Sequence, residues 1–91
     1  MLSNIRAYFQ IGLMNLDSTL IEAAKENFEK CLFINSDYTL AIIGLGNVYY
    51  EEGNFLKAEE LHRRALKLDP KDIQAIISLA YSLSGQKVNN I

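Results

Sequence analysis

The two side chains best suited to nucleophilic or metal chemistry are the single cysteine, Cys31, and the single histidine, His62. A nucleophilic cysteine needs a base held beside it and a lowered pKa, and a zinc site needs four ligands. No convergent set of acid, base and nucleophile accompanies these two residues. We therefore expect both to pack inside the protein, and we predict no enzyme activity, no metal site and no cofactor.

Phosphate binding has little support, because Gly44-Leu45-Gly46 lies inside a helical pattern without the preceding strand of a phosphate loop. A basic cluster follows on the fourth predicted helix and is interrupted by Glu59 and Glu60. It consists of Lys57, His62, Arg63, Arg64, Lys67 and Lys71. We interpret it as a solvated outer face with ion pairs, and a patch for nucleic acid or an acidic partner is the alternative.

The composition is that of an ordinary small domain, with 91 residues, a net charge of -2 and 49% apolar residues. A single cysteine excludes an internal disulfide. The sequence enters a helical pattern at once without a signal peptide, and no apolar run reaches the roughly 18 residues of a membrane span. We therefore expect a cytoplasmic protein that binds neither a membrane nor nucleic acid.

The strongest pattern in the sequence is an internal repeat at an offset of 34 residues. Gly12 recurs as Gly46, and Ala24 recurs as Ala58. Further pairs are Ile11 and Leu45, Glu26 and Glu60, and Leu32 and Leu66. A fixed period in this range marks a solenoid, in which each unit buries its apolar face by stacking on its neighbours. We predict an all-α fold, an α-α superhelix of antiparallel helix hairpins.

Apolar spacing predicts five helices, and their short connections make neighbouring helices antiparallel. They run from about Ile5 to Leu16, about Ile21 to Ile34, Thr39 to about Glu51, about Phe55 to Leu68, and Ile73 to Leu83. We expect Ser3 or Asn4 to cap the first helix. Thr19 with Glu22 has the spacing of a capping box for the second helix.

The fifth helix has its own predicted boundaries. Asp72 is expected to cap its start, since a short polar side chain accepts a hydrogen bond from the first turn. Gly85 is expected to close it, and residues 86–91 are expected to fray. Its polar residues Gln74, Ser78 and Ser82 form one stripe at four-residue spacing, and nearly all its other residues are apolar.

The second unit, 39–72, carries a characteristic set of residues in register. These are Leu45-Gly46, Tyr49, Gly53, Phe55, Ala58, Ala65 and Pro70. With these residues the sequence resembles the tetratricopeptide repeat family. The first unit, 5–38, matches more loosely through Tyr8, Ile11-Gly12, Ala24 and Phe28, and a third unit, 73–85, is only a first helix, incomplete or capping. The resemblance implies that the first helices of the units line a concave groove for a peptide or a partner helix.

The groove positions that the resemblance implies are mostly apolar or aromatic. We predict partner contacts at Phe9, Leu13, Leu40, Ile43, Asn47, Tyr50, Ile77 and Tyr81. The lysine, asparagine and arginine clamp for peptide carboxylates is mostly missing, since only Asn47 occupies a matching position. An apolar peptide or amphipathic helix therefore fits better. The alternative is that these residues pack within the domain and leave little groove exposed.

One flank of the fifth helix has no following helix to cover it, although terminal repeats usually turn a polar face outward. Either the chain is a fragment of a longer array or another molecule covers this end. Self-association into a homodimer is the simplest cover. The sequence thus supports a protein-binding module first and a homo-oligomerisation module second, with a chaperone-like accessory of a secretion system as a further alternative.

Overall fold

A computed structural model describes residues 2–89, with side chains described for residues 4–86. Five helices follow one another along the chain, as predicted. They are α1 (Leu2–Asp17), α2 (Ile21–Ile34), α3 (Thr39–Glu51), α4 (Phe55–Leu68) and α5 (Ile73–Asn89). Each helix packs on the next, and α3 also contacts α1 and α5. The odd-numbered helices therefore form one layer and the even-numbered helices α2 and α4 form the other, which confirms the predicted fold class.

The core lies between the two layers, where small residues let the helices approach closely. Ala24, Ala58 and Ala65 are fully buried, and so are the larger Phe28 and Ile42. Side chains of this kind alternate in size across facing helices, which fills the interior at native packing density. Cys31 lies in this core and donates a hydrogen bond from Sγ to the carbonyl oxygen of Ile5 at 3.3 Å.

Glycines mark the closest contacts between helices. A Cβ built on Gly12 would lie 2.7 Å from Cε1 of Phe28, and one built on Gly46 would lie 2.6 Å from Cδ2 of His62. Neither position accepts even a methyl group without movement of a buried ring. The small residues of the 34-residue repeat are therefore fixed by the aromatic or imidazole ring that faces them.

The turn inside each hairpin uses a left-handed backbone conformation at equivalent positions. Gly53 has φ 82° and Thr19 has φ 60°. The predicted capping box at Thr19 is wrong, since the residue before α2 is Leu20, no side chain caps the helix, and Thr19 Oγ1 donates to the carbonyl oxygen of Ser18 at 2.6 Å. Thr19 instead occupies the turn position that glycine fills in the second hairpin, where a β-branched residue is strained.

Other helix ends differ from the predictions in part. Ser3 and Asn4 do not cap α1, because the helix already begins at Leu2. Asp72 caps α5 as predicted, with Oδ1 accepting from the amides of Gln74 at 2.9 Å and Ala75 at 3.4 Å.

Gly85 does not close α5, which continues to Asn89. A Cβ at Gly85 would lie 2.6 Å from the Phe55 ring, so this glycine serves a close helix contact. The predicted frayed tail is therefore helical over residues 86–89, and residues 90 and 91 lie outside the described part of the chain.

None of the helices within residues 2–89 combines the length and the apolar character needed to cross a lipid bilayer.

Candidate functional site

A groove of about 600 Å³ runs along the layer of odd-numbered helices, between the end of α1, the second half of α3 and the face of α5. His62 on α4 contributes to it from the other layer. Its lining consists of Leu16, Asp17, Asn47, Tyr50, Glu51, His62, Gln74, Ile77, Ser78 and Tyr81. The helices that line it are held by the core on their opposite side, so the groove is a preformed surface.

Four of the eight predicted contact residues lie in this groove. Asn47 and Tyr50 come from α3 and are half-buried, whereas Ile77 and Tyr81 come from α5 and are 42% and 60% exposed. They share one face because they recur at spacings of three and four residues along their helices. The structure thus brings together one polar and three apolar or aromatic side chains around one hollow.

The other four predicted contact residues lie elsewhere. Ile43 is buried in the core, and Phe9 and Leu13 pack against the core from α1. The Phe9 ring lies 6.0 Å from the Phe28 ring and 6.1 Å from the Tyr38 ring. Leu40 is exposed in the first turn of α3, outside the groove lining. Phe9, Leu13 and Ile43 are therefore occupied by packing within the domain and do not line the groove.

An aromatic cluster forms the wall of the groove beside Asn47. The Tyr50 ring lies 5.1 Å from the Phe55 ring and 6.4 Å from the Tyr81 ring, and both pairs are edge-on. Edge-to-face rings at these distances attract each other beyond their area burial. The half-buried Tyr50 is therefore fixed by Phe55 on one side, and it supports the more exposed Tyr81 on the other.

Below the groove, His62 joins three helices through hydrogen bonds at both ring nitrogens. Its side chain is 1% exposed, and burial lowers its pKa, so the ring is neutral at neutral pH. Nε2 lies 3.1 Å from Oδ1 of Asn47, an atom that only accepts, so Nε2 carries the ring proton and donates it. Nδ1 accepts from the hydroxyl of Ser82, whose Oγ lies 2.7 Å away.

These bonds fix the orientation of Asn47 in the groove. Its amide oxygen points at the His62 ring, so its NH2 group is turned away from the ring and remains available as a donor. Ser82 Oγ also donates to the carbonyl oxygen of Ser78 at 3.1 Å, so its one proton is shared between that carbonyl and Nδ1 of His62, which is closer. Among the described side chains, no buried polar atom lacks a hydrogen-bond partner.

The inner positions that the resemblance implies also include four other residues of the groove lining, Asp17, Glu51, Gln74 and Ser78. They include neither Leu16 nor His62, which line the groove as well. Leu16 is the equivalent of Tyr50 at the 34-residue offset, so the repeat itself carried the signal for it. His62 was expected to pack, and it does, but its contact with Asn47 also brings it to the groove. The second contact of His62, with Ser82, depends on Ser82 facing α4, and helical spacing alone does not give that orientation.

Comparisons with known proteins agree with this architecture. Two family models, each described as a tetratricopeptide repeat, match residues 5–38 and residues 40–72. The Protein CTR9 homolog of Arabidopsis thaliana is 38% identical over 72 residues, which are 79% of this chain. Tetratricopeptide repeat protein 6 of Homo sapiens is 28% identical over 57 residues, or 63% of this chain. The chain spans only 7% and 11% of the lengths of these two relatives.

A solved structure described as the crystal structure of MamA protein has the same fold. It superposes with a TM-score of 0.83 at 26% sequence identity, over 94% of this chain and 47% of the other. Nearly all of this chain aligns with about half of that longer chain, so the same arrangement of five helices occurs in another protein.

Proposed function

We propose that this chain, which belongs to the tetratricopeptide repeat family, binds a peptide or an amphipathic helix of another protein in the groove of α1, α3 and α5. Membership of the family supports a role as a scaffold for protein–protein interaction. Repeat scaffolds of this family are typically not enzymes. The specific part of our proposal is that the partner binds in this groove.

The observation that carries the proposal is the exposure of large side chains inside a preformed hollow. Ile77 and Tyr81 are exposed there, next to the half-buried Tyr50. Exposed apolar groups gathered in a concave site usually mark a binding surface. Because the helices beneath are already packed, the receptor loses little conformational entropy on binding, and apolar anchors of the partner supply the affinity.

Asn47 has a distinct role in this proposal. His62 holds its amide oxygen, and the NH2 group that remains is placed to donate to a backbone carbonyl or another acceptor of the partner. In this arrangement His62 and Ser82 are positioning residues, since neither needs to touch the partner to orient the Asn47 amide. The groove thus offers one fixed polar contact between apolar ones.

The test is a selection from a random peptide library, followed by affinity measurements with a matched pair of variants. Tyr81→Ala removes an exposed aromatic side chain from the groove, and Phe33→Ala removes one that is 93% exposed on α2, in the other layer. We expect Tyr81→Ala to weaken binding about tenfold or more, as for a central aromatic contact, and Phe33→Ala to leave it unchanged. Equal effects of the two variants, or loss only with Phe33→Ala, would contradict the proposal.

A second candidate function is self-assembly through α5, and a comparison with α3 favours it. Ile42, Leu45 and Gly46 of α3 are buried, and Gly46 faces the His62 ring of α4. Their equivalents at the 34-residue offset are Ile76, Leu79 and Ala80, of which Ile76 is 49% exposed and Ala80 is exposed. Within residues 2–89, no helix covers this face of α5. A second copy of the chain could cover it, most simply in a two-fold pair.

Sedimentation at rising concentration tests the second candidate. Ala80→Glu places a charge in the middle of the uncovered face, and Phe33→Glu places one on the exposed surface of α2. Self-assembly predicts an oligomer that Ala80→Glu dissociates and Phe33→Glu preserves, with helicity unchanged by circular dichroism. A strict monomer at high concentration excludes this candidate.

A further inference from the structure

We propose that the segment bound in the groove is basic, with a lysine or arginine side chain next to its apolar anchors. This inference rests on the proposed function and specifies the partner that the groove selects. Three features of the groove carry it: two carboxylates at its rim, the helix ends that bear them, and the distribution of basic residues over the fold.

The two carboxylates belong to Asp17 and Glu51, which both line the groove. Asp17 is the last residue of α1, and Glu51 is the last residue of α3. They are equivalent at the 34-residue offset, so the repeat places both at the same end of neighbouring helices in one layer. Two negative charges therefore lie at the same end of the groove.

The helix ends add to this negative potential. The last carbonyl groups of a helix carry a partial negative charge, which proteins commonly offset with a basic residue in the last turn. Neither α1 nor α3 has a basic residue in its last turn. Each helix ends instead in a carboxylate, which is an unfavourable placement unless a cation from elsewhere approaches it.

A neighbouring carboxylate shows how such a charge is offset inside the domain. Glu52 pairs with Lys25 of α2 at 3.4 Å. Among the side chains described, at residues 4–86, neither Asp17 nor Glu51 forms an ion pair. The carboxylate that faces the other layer thus has an internal partner, whereas the two that line the groove do not.

Among the described side chains, no lysine or arginine lines the groove, and its histidine, His62, has a pKa lowered by burial. α3 contains no basic residue, and residues 73–86 of α5 contain none either, whereas Lys87 of α5 lies outside the described side chains. Arg6 on α1 precedes Asp17 by about 16 Å along the helix, at about 1.5 Å per residue. A groove with this charge attracts cations and repels acidic peptides.

The tyrosines in the groove fit the same partner. The faces of Tyr50 and Tyr81 carry negative quadrupole potential, which attracts an ammonium or guanidinium group. The aliphatic stem of a lysine or arginine can pack on these rings while its charged end reaches Asp17 or Glu51. One long basic side chain therefore satisfies both the apolar and the acidic parts of the site.

The experiment uses the peptides selected from the random library and a pair of double variants with equal change in charge. Asp17→Asn with Glu51→Gln removes both rim charges. Glu29→Gln with Asp37→Asn removes two exposed charges that are outside the groove lining. Affinities for a fluorescent peptide are measured by anisotropy at low and high salt, together with those of a matched peptide whose basic residues are replaced by glutamate.

We expect the selected peptides to be enriched in lysine and arginine next to apolar residues. The rim variant should bind the basic peptide about five- to tenfold more weakly and lose most of its salt dependence, as expected for two partly exposed charge pairs. The control variant should change affinity by less than about twofold. The glutamate peptide should bind more weakly to the original chain than the basic one.

Other outcomes separate this inference from the proposed function. The selected peptides could instead be neutral or acidic, bind more weakly to Tyr81→Ala and bind equally well to the rim variant. This result would overturn the inference of a basic partner but would support binding in the groove. Binding that Tyr81→Ala does not change would overturn both. A concentration-dependent oligomer that the rim variant dissociates would show that a second copy, through a basic face such as that of α4, is the occupant, and would also overturn the inference.

Discussion

Two junctions between helices have the same geometry and opposite chemistry. In the first, where α2 meets α1 and α3, the buried ring is Phe28, and Leu13 and Val48 occupy the corresponding register positions on α1 and α3. In the second, where α4 meets α3 and α5, the equivalent positions at the 34-residue offset are His62, Asn47 and Ser82. The rings of both junctions press on a glycine, at Gly12 and Gly46. The two repeat units therefore have similar packing at these positions but differ in the polarity of their side chains.

The polar junction reaches the groove, and the apolar one does not. Asn47 and His62 line the groove, whereas Leu13 and Phe28 pack into the core. A buried polar network gives little net stability over a well-packed apolar one, because each hydrogen bond replaces one to water. We infer that its value here lies in orienting Asn47. Changes that exchange polarity between the two junctions test this view.

The largest effect is expected for Phe28→His, which puts an imidazole in the apolar junction. The equivalents of its partners there are Leu13 and Val48, so both ring nitrogens would be buried without a hydrogen bond. We expect a loss of about 3 kcal/mol in the free energy of unfolding, from lost apolar contacts and unpaired polar atoms. Urea denaturation followed by circular dichroism measures it. A change below about 1 kcal/mol would mean that the first junction is looser than described.

A double-mutant cycle in the polar junction is expected to give the next largest effect. Ser82→Val removes the donor to Nδ1 of His62 and should cost about 1–2 kcal/mol in the free energy of unfolding. Adding His62→Phe gives the ring and residue 82 the chemistry of the first junction, while Asn47 stays in the place of Leu13. It should recover much of that loss, which gives a coupling energy of about 1 kcal/mol. Additive effects of the two changes in denaturation would contradict the described hydrogen bond.

The two hairpin turns offer a smaller comparison. Thr19→Gly gives the first turn the residue that the second has at Gly53, and it relieves a β-branched residue at φ 60°. Relief of the strain alone should raise the free energy of unfolding by about 1 kcal/mol. Part of this gain is lost because glycine has greater conformational freedom in the unfolded chain. The reverse change, Gly53→Thr, should destabilise. A thermal melt in which Thr19→Gly lowers Tm would contradict the left-handed turn.

The smallest effect is expected in the pH dependence of stability. Burial lowers the pKa of His62, so between its folded value and its unfolded value of about 6.5 the unfolded chain binds the additional proton. Stability from this group is therefore complete above about pH 6.5 and falls as pH falls toward the folded pKa. His62→Phe with Ser82→Val should remove this part of the pH profile. A parallel profile for the original chain and the double variant would contradict it.

The 34-residue repeat allowed the helices, the layers and the small residues at Gly12 and Gly46 to be predicted from the sequence. It predicted the groove residues less completely, because a residue on the inner wall of the odd-numbered helices can also be buried in the core. Ile43 lies on α3, which has neighbours on both sides, and it packs into the core, whereas Ile77 on the terminal α5 stays exposed. The contact of His62 with Ser82 required knowledge of how α5 rotates about its axis, which apolar spacing does not fix when most of a helix is apolar.

The most direct test of the central claim is a map of backbone amide chemical shifts by NMR during titration with a selected peptide. We predict that the largest shifts cluster at the end of α1, along residues 47–51 of α3 and along residues 74–81 of α5, with the side-chain NH2 of Asn47 among them. Shifts concentrated instead on the outer faces of α2 and α4, around Phe33 or Arg63, would contradict the account.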